Sequence, residues 1–271
     1  MRQLRGKVAV VTGAAMGMGK SLTSMLMDEG CIVALVDVNK KELENTENQL
    51  SKKGSCRTYV CDISDRKAVY ELAKQVKKDL GPVSLLVNNA GIMKAGELLD
   101  LQDELIDKML QVNLASMFWM CRAFLPQMIQ QGEGHVVNMA SAGGILAIPN
   151  LSAYCASKFG VVGFSDALRQ EMKKNGLQIG VTCVCPNTVG TGMFEGAKMV
   201  TGTKLLKTEQ VTTQVLKGIR KNRAMVAVPS VSVKFLTPLM KLLLPVHVMD
   251  RVNSMLGMWH ANDSTKGRNG K

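Results

Sequence analysis

"VVTGAAMGMGKSL", residues 10–22, runs from β-branched residues through three glycines into a stretch spaced for a helix. An apolar run that enters a glycine turn and leaves as a helix is the opening of a parallel α/β unit. Gly13, Gly17 and Gly19 let the backbone of that turn come close to a pyrophosphate. The helix N-terminus behind them favours the negative charge. Met16 and Met18 lie between the glycines and would line the same approach.

The pattern repeats along the chain. "CIVALVD" (31–37), "CRTYVCD" (56–62), "VSLLVNNAG" (83–91), "GHVVNMAS" (134–141) and "QIGVTCVCP" (178–186) read as further strands. Most are too uniformly apolar for a sheet wet on one face, so a parallel sheet covered on both sides is expected. Helical patterns fall between them, at about 17–29, 39–52, 65–79, 101–130 and 152–175. The fold class is therefore α/β: a doubly wound, Rossmann-type parallel sheet in one domain. Residues 1–230 would form the dinucleotide-binding catalytic part, and 231–271 an apolar, basic, helical C-terminal extension of the same domain. A helix at 208–222 and a short strand at 224–229 close the pattern, "TGMFEGAKMVTGTKLLKTEQ" (191–210) has the irregularity of a mobile lid, and the last dozen residues read as frayed.

With 46% apolar and 21% charged residues, composition excludes a disordered or fibrous chain. Seven cysteines, an odd number mostly set in apolar runs, point to a reducing, cytoplasmic compartment. Cys183 and Cys185 share one strand face and read as packing. The three scattered histidines lack ligand spacing, so no metal is expected. The net charge of +12 is concentrated: residues 198–271 hold 13 Lys and Arg against 3 Asp and Glu. That distribution argues against a nucleic-acid binder and leaves peripheral membrane contact or plain solvated faces as readings of the C-terminal quarter.

Asp37, at the end of the second strand, is placed to accept the ribose hydroxyls of an adenosine and to repel a 2′-phosphate. NAD is therefore favoured over NADP, with Lys40 and Lys41 the residues that weaken the preference. In "YCASK" (154–158), Tyr154 and Lys158 stand four apart and project from one helix face. A free phenol, with pKa about 10, is a poor base at neutrality, and a neighbouring ammonium favours its ionised form.

Taken in order, "TGAAMGMG" (12–19), "CDISD" (61–65), "NNAG" (88–91), "VN" ending at Asn113, "NMAS" ending at Ser141, and "YCASK" resemble the short-chain dehydrogenases/reductases over about residues 5–230. The resemblance implies a sheet of seven strands, a homodimer or homotetramer, and NAD(P)-dependent interconversion of an alcohol and a carbonyl. It implies a catalytic set of Asn113, Ser141, Tyr154 and Lys158. Tyr154 would take the hydroxyl proton, Lys158 would tune it and hold the nicotinamide ribose, Ser141 would bind the substrate oxygen, and Asn113 would hold a relay water. The dinucleotide would also lie against Asp62, Ile63, Asn89, Ala90, Gly91, Pro186, Val189 and Thr191.

"YCASKFGVVGF" (154–164) and "CPNTVGTGMFEG" (185–196) are similar to the retinol dehydrogenase and 17β-hydroxysteroid dehydrogenase branch, which implies a lipophilic alcohol as substrate. Many of the wider family have Gly after the proline where Asn187 stands here. Members of the branch that sit in membranes begin with an apolar anchor, whereas this chain starts almost at its first strand, and insertion by that route is not expected. A polar alcohol, sugar or acyl thioester as substrate, and a non-catalytic dinucleotide-binding scaffold at membranes, remain the alternatives. "VSVKFLTPLMKLLLPVHVMDRVNSMLGMW" (231–259) is broken by charges and two prolines and is not expected to span a bilayer. Its apolar residues can close the substrate pocket, meet a partner subunit or rest on a membrane.

Overall fold

In the computed structural model, which describes residues 3–265, seven parallel strands form one sheet. They are β1 (Val8–Thr12), β2 (Ile32–Asp37), β3 (Cys56–Val60), β4 (Val83–Asn88), β5 (Gly134–Met139), β6 (Ile179–Pro186) and β7 (Met225–Val228), in the order β3-β2-β1-β4-β5-β6-β7. The order reverses between β1 and β4, and a crevice opens at their C-terminal ends. Every residue of β1, β4 and β5 is buried, as a sheet covered on both faces requires.

The two coverings follow from strand alternation. Val11, Leu35 and Val87 point to α1 (Gly17–Asp28), α2 (Lys40–Leu50) and α7 (Thr208–Arg220), where Leu22, Leu43 and Val215 meet them. Val10, Val36 and Leu86 point to the other side, against α3 (Arg66–Leu80), α5 (Ser116–Gln131) and α6 (Ser152–Lys174). There Val69, Phe124 and Leu168 fill the core. Side-chain caps start two of these helices: Asn39 accepts from the Glu42 N–H before α2, and Asp65 from those of Lys67 and Ala68 before α3.

Three regions depart from the pattern read in the sequence. The single helix expected over 101–130 is divided into α4 (Asp103–Leu110), a wide π turn (Gln111–Ala115) and α5. In that turn the Ser116 N–H reaches back to the Gln111 carbonyl, which rotates Asn113 inward to full burial. The irregular segment after β6 is fastened at its base, where Gly190 N–H donates to Leu206 O and Leu206 N–H to Thr188 O. Further out, Lys198 and Thr201 donate to Ala261 and Leu256. The chain end expected to fray is ordered as far as Thr265, with Ala261 and Asn262 buried; residues 266–271 lie outside the described residues. Before it, a second π turn (Val231–Leu236), α8 (Thr237–Leu243) and α9 (Val246–Met255) carry the apolar stretch. Among the described residues no helix is long and apolar enough to cross a membrane.

Candidate active site

The crevice is held open by buried polar bonds at the strand ends. Thr12, the last residue of β1, accepts from the N–H groups of Asn89 and Ala90 at 3.0 Å each, and Asn89 Nδ2 donates back to Thr12 O at 2.9 Å. Asn88 Nδ2 donates to Asn138 Oδ1 at 2.9 Å, and Asn138 Nδ2 to Ser165 Oγ at 3.0 Å, so β4, β5 and α6 are tied by one ladder. Gly13 and Gly17 take positive φ, 65° and 56°, in the turn. A Cβ on Gly19 would lie 2.0 Å from Gly13 O, so α1 can seat against this turn only with glycine there.

A cavity of about 530 Å³ follows, lined by Gly13, Met16 and Met18 from the turn and by Asn89, Ala90 and Gly91 from the end of β4. Asp37, Asp62 and Ile63 close one end and Thr191 and Met193 the other. Asp37 is fixed by the N–H groups of Ala15 (3.1 Å) and Asn39 (3.0 Å). Its carboxylate can accept ribose hydroxyls and would face a 2′-phosphate with like charge. Lys40 is instead 3.8 Å from Glu44, and neither it nor Lys41 lines the cavity. Burial pulls the Asp62 carboxyl up, but hydrogen bonds from Lys108 (2.8 Å) and Ser64 outweigh it and hold the pKa below the usual value. Open backbone, an anchored acid and apolar walls fit a dinucleotide.

Beside this cavity lies a recess of about 50 Å³ that brings together Ser141, Tyr154 and Lys158 with Pro186, Val189 and Thr191. Ser141 Oγ accepts from the Gly143 N–H at 3.0 Å, and its hydroxyl favours the ionised form of the Tyr154 phenol. The Lys158 ammonium lies 5.7 Å from the centroid of the Tyr154 ring and donates to Met139 O at 2.8 Å. Here the electrostatics differ from the sequence expectation. Burial raises the Tyr154 pKa to about 12 against a smaller lowering by Ser141, and burial brings Lys158 down to about 8. Among this chain's own groups, desolvation outweighs the attraction of ammonium for phenolate.

Asn113, Gly17 and Gly19 do not line either space. Asn113 stands behind them: its Oδ1 accepts from the Ile92 N–H at 2.8 Å, and its Nδ2 donates to Ile92 O at 2.9 Å and Ser157 Oγ at 3.1 Å. Both amide hydrogens are therefore committed to holding the β4 exit loop against α6. Sequence reasoning missed Lys108, Met193 and Phe194. Phe194 meets the Tyr154 ring edge-on at 5.9 Å; the sequence marked it only through its place in the segment after β6 and in the motif 185–196. The same reasoning took in the motifs that begin at Thr12, Asn88 and Asn138 but assigned these three residues no role.

A third, larger cavity of about 710 Å³ shares Asn187 with the recess. It is walled by Ile145, Leu146, residues 200–207 and the inner sides of α8 and α9. Cys183 and Cys185 stay behind the site, Sγ to Sγ 3.8 Å and both buried.

Residues 7–199 match the family described as short chain dehydrogenase. Epidermal retinol dehydrogenase 2 of Mus musculus is 35% identical over 277 residues, spanning 100% of this chain and 88% of that protein. Estradiol 17-beta-dehydrogenase 11 of Homo sapiens is 39% identical over 246 residues, 89% of this chain and 81% of that protein. The crystal structure of a short chain dehydrogenase/reductase from Burkholderia phymatum in complex with NAD superposes with a TM-score of 0.81 at 26% identity. It covers 89% of this chain and 96% of its own.

Proposed function

The chain belongs to the short-chain dehydrogenase family and is an NAD(P)-dependent oxidoreductase interconverting alcohols and carbonyls; we propose that its substrate is a bulky lipophilic alcohol and its cofactor NAD. The observation that carries this reading is the Tyr154 phenol, brought together with Ser141 and Lys158 in a recess between the dinucleotide cleft and apolar side chains. Met93, Ile148 and Phe194 pack around Tyr154 and offer a polar substrate few partners, which favours a retinoid or steroid-like alcohol over a sugar. The retinol and estradiol dehydrogenases among the relatives support the same class. Asp37 supports NAD.

In this proposal Tyr154 takes the hydroxyl proton during oxidation and returns it during reduction. Ser141, oriented by Gly143, holds the substrate oxygen beside the phenol. Lys158, fixed on Met139 O, keeps an ammonium near the phenol and reaches the cofactor ribose. Asn113 is a positioning residue that secures Ile92 and Ser157. Gly13, Met16, Met18, Asp37, Asp62, Ile63, Asn89, Ala90 and Gly91 hold the dinucleotide, Gly17 and Gly19 do so by shaping the turn beneath it, and Pro186, Val189 and Thr191 stand at its nicotinamide end. When bound, the oxidised nicotinamide supplies the hydride acceptor and a positive charge that favours the phenolate. Residues 231–259 act as an extension of the same domain, of which Val233, Leu236, Met240, Met249 and Val252 wall the substrate side. A dimer or tetramer remains part of the proposal, and Phe118 and Ile129 on α5 are exposed for such contact. We place the chain in the cytoplasm, in peripheral contact with a membrane.

The test is to incubate the purified chain with NAD or NADP and a panel of retinoid, steroid, aliphatic and sugar alcohols while following reduced-nicotinamide absorbance. Preferred turnover of the lipophilic members with NAD is expected. Preference for sugars, or no turnover of any member, would overturn the reading.

A further inference from the structure

We propose that the outer face of α8 and α9 docks on an anionic lipid surface. The observation is a helix pair with two apolar sides. Val233, Met240, Met249 and Val252 face inward onto the 710 Å³ cavity. Val231, Phe235, Leu239 and Leu242 recur about one helical turn apart on the outside, and Val246 begins α9 beyond the break at Leu244 and Pro245; all five stay in solvent. Exposure reaches 72% at Val231, 81% at Leu242 and 77% at Val246, and α8 has no buried residue at all. A contiguous apolar face of this kind marks an interaction site on a water-soluble surface.

Charge selects the occupant. Lys234 is set among the apolar residues, Lys241 donates to Ile145 O at 2.9 Å on the inner side, Lys204 and Lys207 stand on the neighbouring cavity wall, and Arg251 follows on α9. No Asp or Glu occurs from 231 to 249, and none of these five cations is in an ion pair among the described residues. Two-fold pairing with a second copy would set four lysines and Arg251 against their own copies, with Asp250 on α9 the one exposed acid on these two helices to answer them. An anionic headgroup layer answers the charge, and the acyl region beneath it takes the leucines, valines and phenylalanine. Helices of 7 and 10 residues, interrupted at Pro245, lie on such a surface and do not cross it. Docking there would set the cavity wall against the phase in which a lipophilic alcohol dissolves. This surface deepens the peripheral-membrane reading and depends on no step of the catalytic one.

The experiment is sedimentation of the full chain with vesicles of pure phosphatidylcholine, and of phosphatidylcholine with about three parts in ten phosphatidylserine. The wild type and the double variant Leu242→Glu/Val246→Glu are compared, with circular dichroism melting to show that both are folded. The wild type is expected to pellet with the anionic vesicles, to be released by salt, and to lose about tenfold in partitioning in the double variant. Lys234→Glu should reduce the salt-sensitive part alone. Equal pelleting of wild type and double variant, or no pelleting of the wild type with anionic vesicles, would overturn the proposal. So would a wild-type dimer that the double variant dissociates while neither binds vesicles. Oxidation of a water-soluble alcohol without vesicles reads the catalytic proposal separately and is expected to be unchanged in the double variant.

Discussion

Helix α1 and helix α8 are both rich in apolar residues, but they use them in opposite ways. The first buries Leu22, Leu26 and Met27 against the sheet and seats Gly19 on the turn below, while the second buries nothing. In the frame from β1 to β6, apolar burial fixes the backbone, and the Thr12 bonds to Asn89 and Ala90 together with the Asn88–Asn138–Ser165 ladder fix where the strand ends lie. In α8 and α9 apolar surface is left over, and only a substrate, a partner or a lipid phase can cover it. In the proposed reading the two halves have separate tasks: the rigid half sets what reaction is done, and the under-buried half sets on what and where.

The sharpest way to break this division is Tyr154→Phe, which removes one oxygen from the rigid half. We expect kcat to fall by about 10³, on the order of 4 kcal/mol, in steady-state assays, with the melting temperature little changed. Near-normal turnover would show that the frame does not set the chemistry.

Lys158→Met probes the stability cost of that frame. Burial holds the Lys158 pKa near 8, below its ordinary 10.5, so the unfolded chain binds the extra proton between those values. Its contribution to stability therefore rises with pH across that window, and the burial penalty is present in full below it. The Met variant should be more stable than wild type at neutral pH, by roughly 3 kcal/mol at most, and the difference should vanish above about pH 10.5 in urea titrations. A variant less stable at pH 7 would mean that the bond to Met139 outweighs the burial.

Gly19→Ala tests the seating of α1. The added methyl meets Gly13 O, so a loss of about 1–3 kcal/mol and weaker NAD binding are expected from melting and fluorescence titration. Asp37→Ser should shift the ratio of NADP to NAD efficiency by about tenfold towards NADP, close to 1.4 kcal/mol. The smallest effect belongs to the other half: Leu242→Glu should alter stability by less than about 0.5 kcal/mol, because its side chain touches little.

The same contrast explains what was legible. All seven strands could be read from the chain because parallel strands buried on both faces leave continuous apolar runs, and glycines and caps punctuate the helices between them. Ser141, Tyr154 and Lys158 could be named because their motifs sit at strand ends and on a regular helix, and the fold brings them into one recess. The π turn at Asn113 was not legible, since one extra residue in a helix leaves no compositional mark. Nor were Phe194 and the cavity behind α8, because a segment without period gives no direction to its side chains. The direction of the Tyr154 shift was missed for a different reason: neighbours can be read from spacing, but desolvation depends on packing from distant parts of the chain.

The central claim is that Tyr154 is the proton acceptor, and that its phenol, pushed up to about 12 by burial, becomes acidic when the oxidised dinucleotide binds. Ultraviolet difference titration of wild type against Tyr154→Phe, with and without NAD, measures this directly. The account predicts a phenolate signal from Tyr154 below about pH 10 with NAD and none there without it. A signal at the same pH in both titrations would contradict it.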